Sequence, residues 1–296
     1  MLEKTIIQPI NDAHVHAHGI SAAMLRLDLL HPIVSGNKIF KLKHYLEEAK
    51  KNAKKGILTF GGAFSNHLVA AAYAAKLNNL ESVGYVRGES PDKLSQSLMD
   101  CTSYGMQLEY LSREDFGAIE LGQLSNAYPN HAIIPHGAYG RLGMLGAKEI
   151  MEIPGVDGYD IVLACCGTGT MAAGLIAGLH SNQQLMLVSV LKNNFSVADE
   201  IKQLLVEEEI NNKRFDLCFD FHMGGYAKKN PLLFQAMNDF FSKQHVPTDF
   251  VYTGKLVHAF YQLMKAGTFA NGSKILLIHS GGLQGNRSLL NNELIF

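Results

Sequence analysis

The stretch YDIVLACCGTGTMAAGLIAGLH, Tyr159 to His180, is apolar along nearly its whole length except where Cys-Gly-Thr-Gly-Thr interrupts it. An unbroken run of that length could cross a bilayer. The central glycines and threonines predict a buried strand, a tight loop and a helix instead. The same pattern recurs in GILTFGGAFSNHLVAAAYAAKL, Gly56 to Leu77, a β-rich run, a Gly-Gly turn and an alanine-rich helix with Ser65 or Asn66 placed to cap it. SVGYVRG (Ser82 to Gly88) reads as a strand followed by the helix-like PDKLSQSLMDCTSYG, and MLVSVL and KILLIH read as further strands. Strands alternating with helices predict an α/β fold of parallel sheets covered on both faces. Ligands in such folds sit beyond the carboxyl ends of the strands, and there this chain keeps its glycine, serine, threonine and asparagine.

With 296 residues, 47% of them hydrophobic, the chain can bury the core of one large or two modest domains. Its 26 basic and 27 acidic residues give no general electrostatic case for nucleic acid or an anionic membrane, so a small molecule is the expected ligand. Four cysteines, two adjacent as Cys165-Cys166, show no CxxC or disulfide-framework spacing, which suits a reducing, cytoplasmic setting. MLEKTIIQPIND has no apolar secretory core.

Three motifs carry candidate chemistry. In DAHVHAHG, His14, His16 and His18 alternate, and on a strand they would share one face, as a metal-dependent hydrolase requires. The further ligands of such a site are missing downstream, so no metal is expected. In CCGTGTMAAG, a strand ending in Gly167-Thr168-Gly169-Thr170 and continuing as a helix offers backbone N–H groups and a helix dipole to a small phosphate. The GxGxxxxG spacing fits neither a dinucleotide fingerprint nor a Walker loop. GGAFSNH is a second such helix start, expected on the same side of a sheet, with Ser65, Asn66 and His67 as hydrogen-bonding groups for a carboxylate. Two anion cradles and one lysine, Lys38, beside a Gly-Asn turn together suggest a carbonyl cofactor held as a Schiff base, as pyridoxal phosphate is.

SGNKIFKLKHYL resembles the GNKxRKL segment of the pyridoxal-phosphate enzymes grouped as 1-aminocyclopropane-1-carboxylate deaminase and D-cysteine desulfhydrase, relatives of the tryptophan synthase β-subunit fold. GGAFSNH resembles their GGxxSNH, and LRLDLLHP, CGTGTMAAG, GGYA, DFVYTGK and IHSGG follow in the family's order over nearly the whole chain. The resemblance implies two α/β domains, a large one from residues 1–42 and 149–296 and a small inserted one from 43–148, with the site between them and a homodimer as the assembly. It implies pyridoxal 5'-phosphate held by Lys38, Asn66, Cys166, Gly167, Thr168, Gly169, Thr170 and Ser280. Substrate contacts then fall to Ser65, Asn66, His67, Tyr226 and Tyr252, and catalysis to Lys38, Ser65 and Tyr252. YTGK in place of YEGK resembles the desulfhydrase side, which turns D-cysteine into pyruvate, ammonia and sulfide. Ring-opening deamination, a metal-dependent hydrolase using His14, His16 and His18, and a homologue that binds the cofactor without catalysis are the alternatives. Phe40, Phe64, Leu68-Val69 and Phe250 depart from the family's arginine, glutamine, Thr-Arg and proline.

Overall fold

The computed structural model describes residues 5–290 and 293–296. Its strands are β1 (Ile7–Pro9), β2 (Ser21–Arg26), β3 (Gly56–Gly62), β4 (Glu81–Arg87), β5 (Met106–Leu111), β6 (His131–Ile134), β7 (Ile161–Cys166), β8 (Gln184–Ser189), β9 (Arg214–Cys218) and β10 (Lys274–His279). The helices are α1 (Ala13–Ala17), α2 (Asn37–Lys51), α3 (Asn66–Leu77), α4 (Gln96–Ser103), α5 (Arg113–Gly117), α6 (Leu121–Ala127), α7 (Arg141–Lys148), α8 (Thr170–Gly178), α9 (Val197–Leu204), α10 (Glu207–Ile210), α11 (Pro231–Gln244) and α12 (Thr253–Lys265).

The strands form two sheets. The larger has the order β1-β2-β10-β7-β8-β9, parallel except for β1 against β2. The smaller is wholly parallel, β5-β4-β3-β6. The α/β class read from the sequence therefore holds, with helices on both sheets. Adjacent residues of one strand serve opposite layers because strand side chains alternate. On β7, Val162, Ala164 and Cys166 pack with Met144, Leu175 and Ile176 of α7 and α8, while Leu163 and Cys165 pack with Leu256, Val257 and Phe260 of α12. Strands buried on both faces read as unbroken apolar runs, and a buried Leu or Ile stabilises by about 1.5–3 kcal/mol. The segment Ile161 to Leu179 divides into β7 and α8, and no helix among the described residues is long and apolar enough to cross a membrane.

Helix α2 joins the two layers of structure. Phe40 enters the large-sheet core, while Leu42, Tyr45 and Leu46 enter the core under β3. Glycines let its neighbours approach. A methyl on Gly146 of α7 would fall 1.9 Å from the Phe40 carbonyl oxygen, and one on Gly174 of α8 would fall 2.6 Å from the Met144 carbonyl oxygen.

DAHVHAHG is helical where a shared histidine face would have needed a strand. His14, His16 and His18 lie on and just after a helical turn, not a strand, because Asp12 accepts the His14 N–H at 2.9 Å as an N-cap and only Val15 of the segment is anchored in the core. At about 100° per residue the three rings cannot share a face. All three are exposed, and no grouping of three or more His, Cys, Asp or Glu among the described residues is arranged to hold a metal ion.

Candidate active site

Lys38 lies in the first turn of α2, and the turn before it explains its placement. Gly36 has φ 65°, and a methyl there would sit 1.9 Å from the Ser280 carbonyl oxygen. Only glycine fits so close an approach in the left-handed region. The Asn37 N–H then donates to the Ser280 carbonyl at 3.1 Å, its side-chain amide reaches the Met171 sulfur at 3.2 Å, and its Oδ1 accepts from Lys38 Nζ at 2.8 Å. The Ser280 loop is itself fixed. His279 Nδ1 accepts the Gly281 N–H at 3.2 Å, so its Nε2 carries the proton donated to the Pro247 carbonyl at 2.8 Å. Burial of the lysine amine lowers its pKa to about 8, with Asp249 pulling in the other direction.

Opposite Lys38, β7 ends at Cys166 and α8 begins at Thr170, with Gly169 in the left-handed conformation (φ 76°) between them. Asn194 Nδ2 holds this loop by donating to the Gly167 carbonyl at 3.1 Å, and the Thr168 and Thr170 hydroxyls lie 3.5 Å apart. One turn along α2 from Lys38, Lys41 is only 4% exposed. Its amine has no hydrogen bond or carboxylate partner among the described residues, and burial first, then Lys38, hold its pKa well below the ordinary value. A buried cation without a counter-ion is costly unless an anion joins it. Spacing could have identified it, because Lys38 and Lys41 stand at i and i+3 on one helix face.

The second helix start belongs to the other sheet. GGAFSNH follows β3 of the smaller sheet, so the two cradles face each other across a cleft and do not share a sheet edge as the sequence suggested. Ser65 caps α3 by accepting the Leu68 N–H at 3.2 Å. Asn66 Nδ2 donates to the Gly282 carbonyl across the cleft at 3.3 Å, while its buried Oδ1 has no partner. Thr59 spends its proton on the Ile134 carbonyl (2.7 Å), so His67 Nε2 is the donor in their 2.8 Å contact and the buried Nδ1 is left without a partner. Burial first, then Lys38, Lys41 and His136, keep His67 neutral.

One cavity of about 550 Å³ is lined by Lys38, Ser65, Asn66, His67, Cys166, Gly167, Thr168, Gly169, Thr170, Tyr226, Tyr252 and Ser280, a size usual for small-ligand sites. The twelve residues assigned to cofactor or substrate from the sequence thus meet in one place. Tyr226 and Tyr252 are edge-to-face with centroids 6.3 Å apart, and burial pushes the Tyr252 phenol well above its ordinary value. Lys41, Arg87, Phe116 and His136 also line the cavity and were not singled out. Asp249 was quoted in a motif without a role. It is fully buried, accepting from the Val251, Tyr252 and Thr253 N–H groups (2.9, 2.9 and 2.8 Å) and from the Thr253 hydroxyl (2.7 Å). It thereby fixes the start of α12 and the backbone of Tyr252.

These features fit a phosphorylated carbonyl cofactor. The α8 start and unpaired Lys41 suit a phosphate, the lowered pKa of Lys38 suits a carbonyl, and the orphaned end of the Asn66 amide offers a bond to a polar ring substituent. Comparison with known proteins agrees. A model of the family described as pyridoxal-phosphate dependent enzyme matches residues 4–281. The bifunctional D-cysteine desulfhydrase/1-aminocyclopropane-1-carboxylate deaminase of Arabidopsis thaliana, a mitochondrial protein, is 28% identical over 284 residues, covering 85% of this chain and 70% of that protein. The 1-aminocyclopropane-1-carboxylate deaminase of Rhizobium rhizogenes is 26% identical over 279 residues, covering 83% and 82%. A solved structure described as an ACC deaminase homologue superposes with TM-score 0.81 at 23% identity, covering 95% of this chain and 90% of that one.

Proposed function

The chain belongs to the pyridoxal-phosphate dependent enzyme family, and on that premise we propose that it is a lyase acting on a small amino acid, converting D-cysteine and water to pyruvate, ammonia and hydrogen sulfide. The observation that carries this reading is the convergence of Lys38, the Gly167–Thr170 cradle and the Ser65–Asn66 helix start on one cavity. When bound, the cofactor supplies a carbonyl for the substrate amine and a conjugated ring that takes up the electron pair released at Cα.

The chain's own residues do the rest. Backbone N–H groups at the start of α8, with the Thr168 hydroxyl and Lys41, bind the phosphate. At the start of α3 the Leu68 N–H is taken by Ser65, whereas the Asn66 and His67 N–H groups have no acceptor among the described residues and suit the substrate carboxylate. Lys38 Nζ would take the proton from Cα, a role its lowered pKa favours near neutral pH. Tyr252 stays protonated at neutral pH and is available to return a proton. Ser280 offers a hydroxyl, not a full charge, to the ring nitrogen.

The choice of desulfuration rests on residue 253. Thr253 is fully buried and its hydroxyl is committed to Asp249, so no carboxylate side chain projects from that position. Ring-opening deamination of 1-aminocyclopropane-1-carboxylate is the second reading, favoured by the names of both relatives. The test is an absorption spectrum before and after borohydride with peptide mapping, followed by turnover of D-cysteine, L-cysteine and the cyclopropane acid. A visible band lost to borohydride, a pyridoxyl mass on the Lys38 peptide and sulfide from D-cysteine support the first reading. Ammonia from the cyclopropane acid alone supports the second, and a protein that takes up no cofactor sinks both.

A further inference from the structure

The lining of the cavity has a one-sided charge. Among the described residues its charged groups are Lys38, Lys41 and Arg87, with no aspartate or glutamate, although acidic residues outnumber basic ones in the chain by 27 to 26; His136 also lines it, and burial first, then Lys41, Lys38 and Arg87, lower its pKa. The cofactor phosphate accounts for Lys41, the reacting carbonyl for Lys38, and the substrate carboxylate for the start of α3. His67 is neutral and bonded to Thr59. Arg87 remains, with no hydrogen bond or ion pair to its guanidinium among the described residues.

Its position is informative. Arg87 ends β4 and stands in register with Gly62 at the end of β3. His136 follows β6, which flanks β3 on its other side with Ile134 opposite Thr59. Two strand spacings, about 10 Å, separate the two flanking strands, and the GGAFSNH loop rises between them. Phe116 also lines the cavity, its ring edge-to-face with His136 at 6.3 Å. The next residue, Gly137, lies against Thr168 of the phosphate cradle, and His136 is near enough to Lys41, Lys38 and Arg87 to feel the charge of all three.

We propose that Arg87, with His136 beside it, is a second anion subsite, and that besides D-cysteine the site takes small amino acids bearing an additional acidic group on the side chain, a carboxylate, sulfonate or phosphate. Arginine suits such a group because its planar fork binds oxyanions in bidentate fashion. An open cleft of one charge sign also draws anionic substrates in. The inference rests on the amino-acid reading above and extends it beyond D-cysteine.

The test uses the cofactor-loaded enzyme and reads the change in cofactor absorbance on titration with alanine and with aspartate, each in both enantiomers. Aspartate is expected to bind at least about tenfold more tightly than alanine. Arg87→Gln is expected to bring that ratio close to one, mainly through weaker aspartate binding, and Arg87→Lys to restore part of it. Because Arg87 is exposed and outside the core, an unchanged melting temperature would show that folding is intact. Equal losses for both amino acids, or no change in the ratio, would overturn the subsite while leaving the lyase reading standing. If neither amino acid perturbs the bound cofactor, both fall together.

Discussion

At the scale of single residues, burial sets the reactivity of Lys38. With a pKa of about 8 in place of 10.5, about a tenth of the amine is unprotonated at pH 7, against roughly one part in three thousand for an exposed lysine. Capture of the cofactor by apoprotein therefore rises with pH through about 8 and levels off above it. A stopped-flow pH profile with its midpoint near 10 would contradict the burial argument. Gly36→Ala places a methyl 1.9 Å from the Ser280 carbonyl oxygen in the left-handed region. It is expected to cost about 1–3 kcal/mol in stability, read as a lower denaturation midpoint, and to weaken cofactor binding by displacing Lys38. Lys38 itself was legible in the sequence because a motif surrounds it. Arg87 and His136 were not, because they lie 49 positions apart and meet only when β4 and β6 flank β3. Asp249 was visible but mute, since its role depends on four donors that fold back on it.

Helix starts and helix crossings carry the next level. Ser65 and Asn230 each cap a helix, α3 and α11, accepting from Leu68 and Leu232. Replacing either by alanine is expected to cost about 1 kcal/mol, while only Ser65→Ala also loses turnover. Equal activity in the two variants would remove Ser65 from the site. Gly146→Ala drives α7 into the backbone of α2 at Phe40. Overpacking of this kind costs about 1–3 kcal/mol, and here it also shifts the helix that carries Lys38 and Lys41, so thermal stability and cofactor affinity are expected to fall together. The caps were readable because serine before an apolar helical run is a local signal. The conformation of the α1 histidines was not legible, because alternation over a few residues fits a strand and a short helix alike, and Asp12 with Val15 decides between them.

For the whole molecule, the cleft runs between the two sheets. Asn66 reaches Gly282, and Arg287 pairs with Asp100 of α4. Cofactor bound across it should therefore add stability by mass action, about 2.7 kcal/mol at a hundredfold excess over Kd, measurable as a rise in melting temperature that Lys38→Ala diminishes. The alternation of strands and helices announced the α/β class, but no local signal announced that β10 pairs with β2 across more than two hundred positions. That pairing bears on how the protein is made. The smaller sheet lies within residues 56–134 and can close as soon as the ribosome has passed it. The larger sheet lacks its strand between β2 and β7 until residues 274–279 emerge. Ser280, which braces the lysine turn, follows directly, so a nascent chain carries the finished smaller sheet with its Ser65–Asn66 helix start long before it can hold a cofactor.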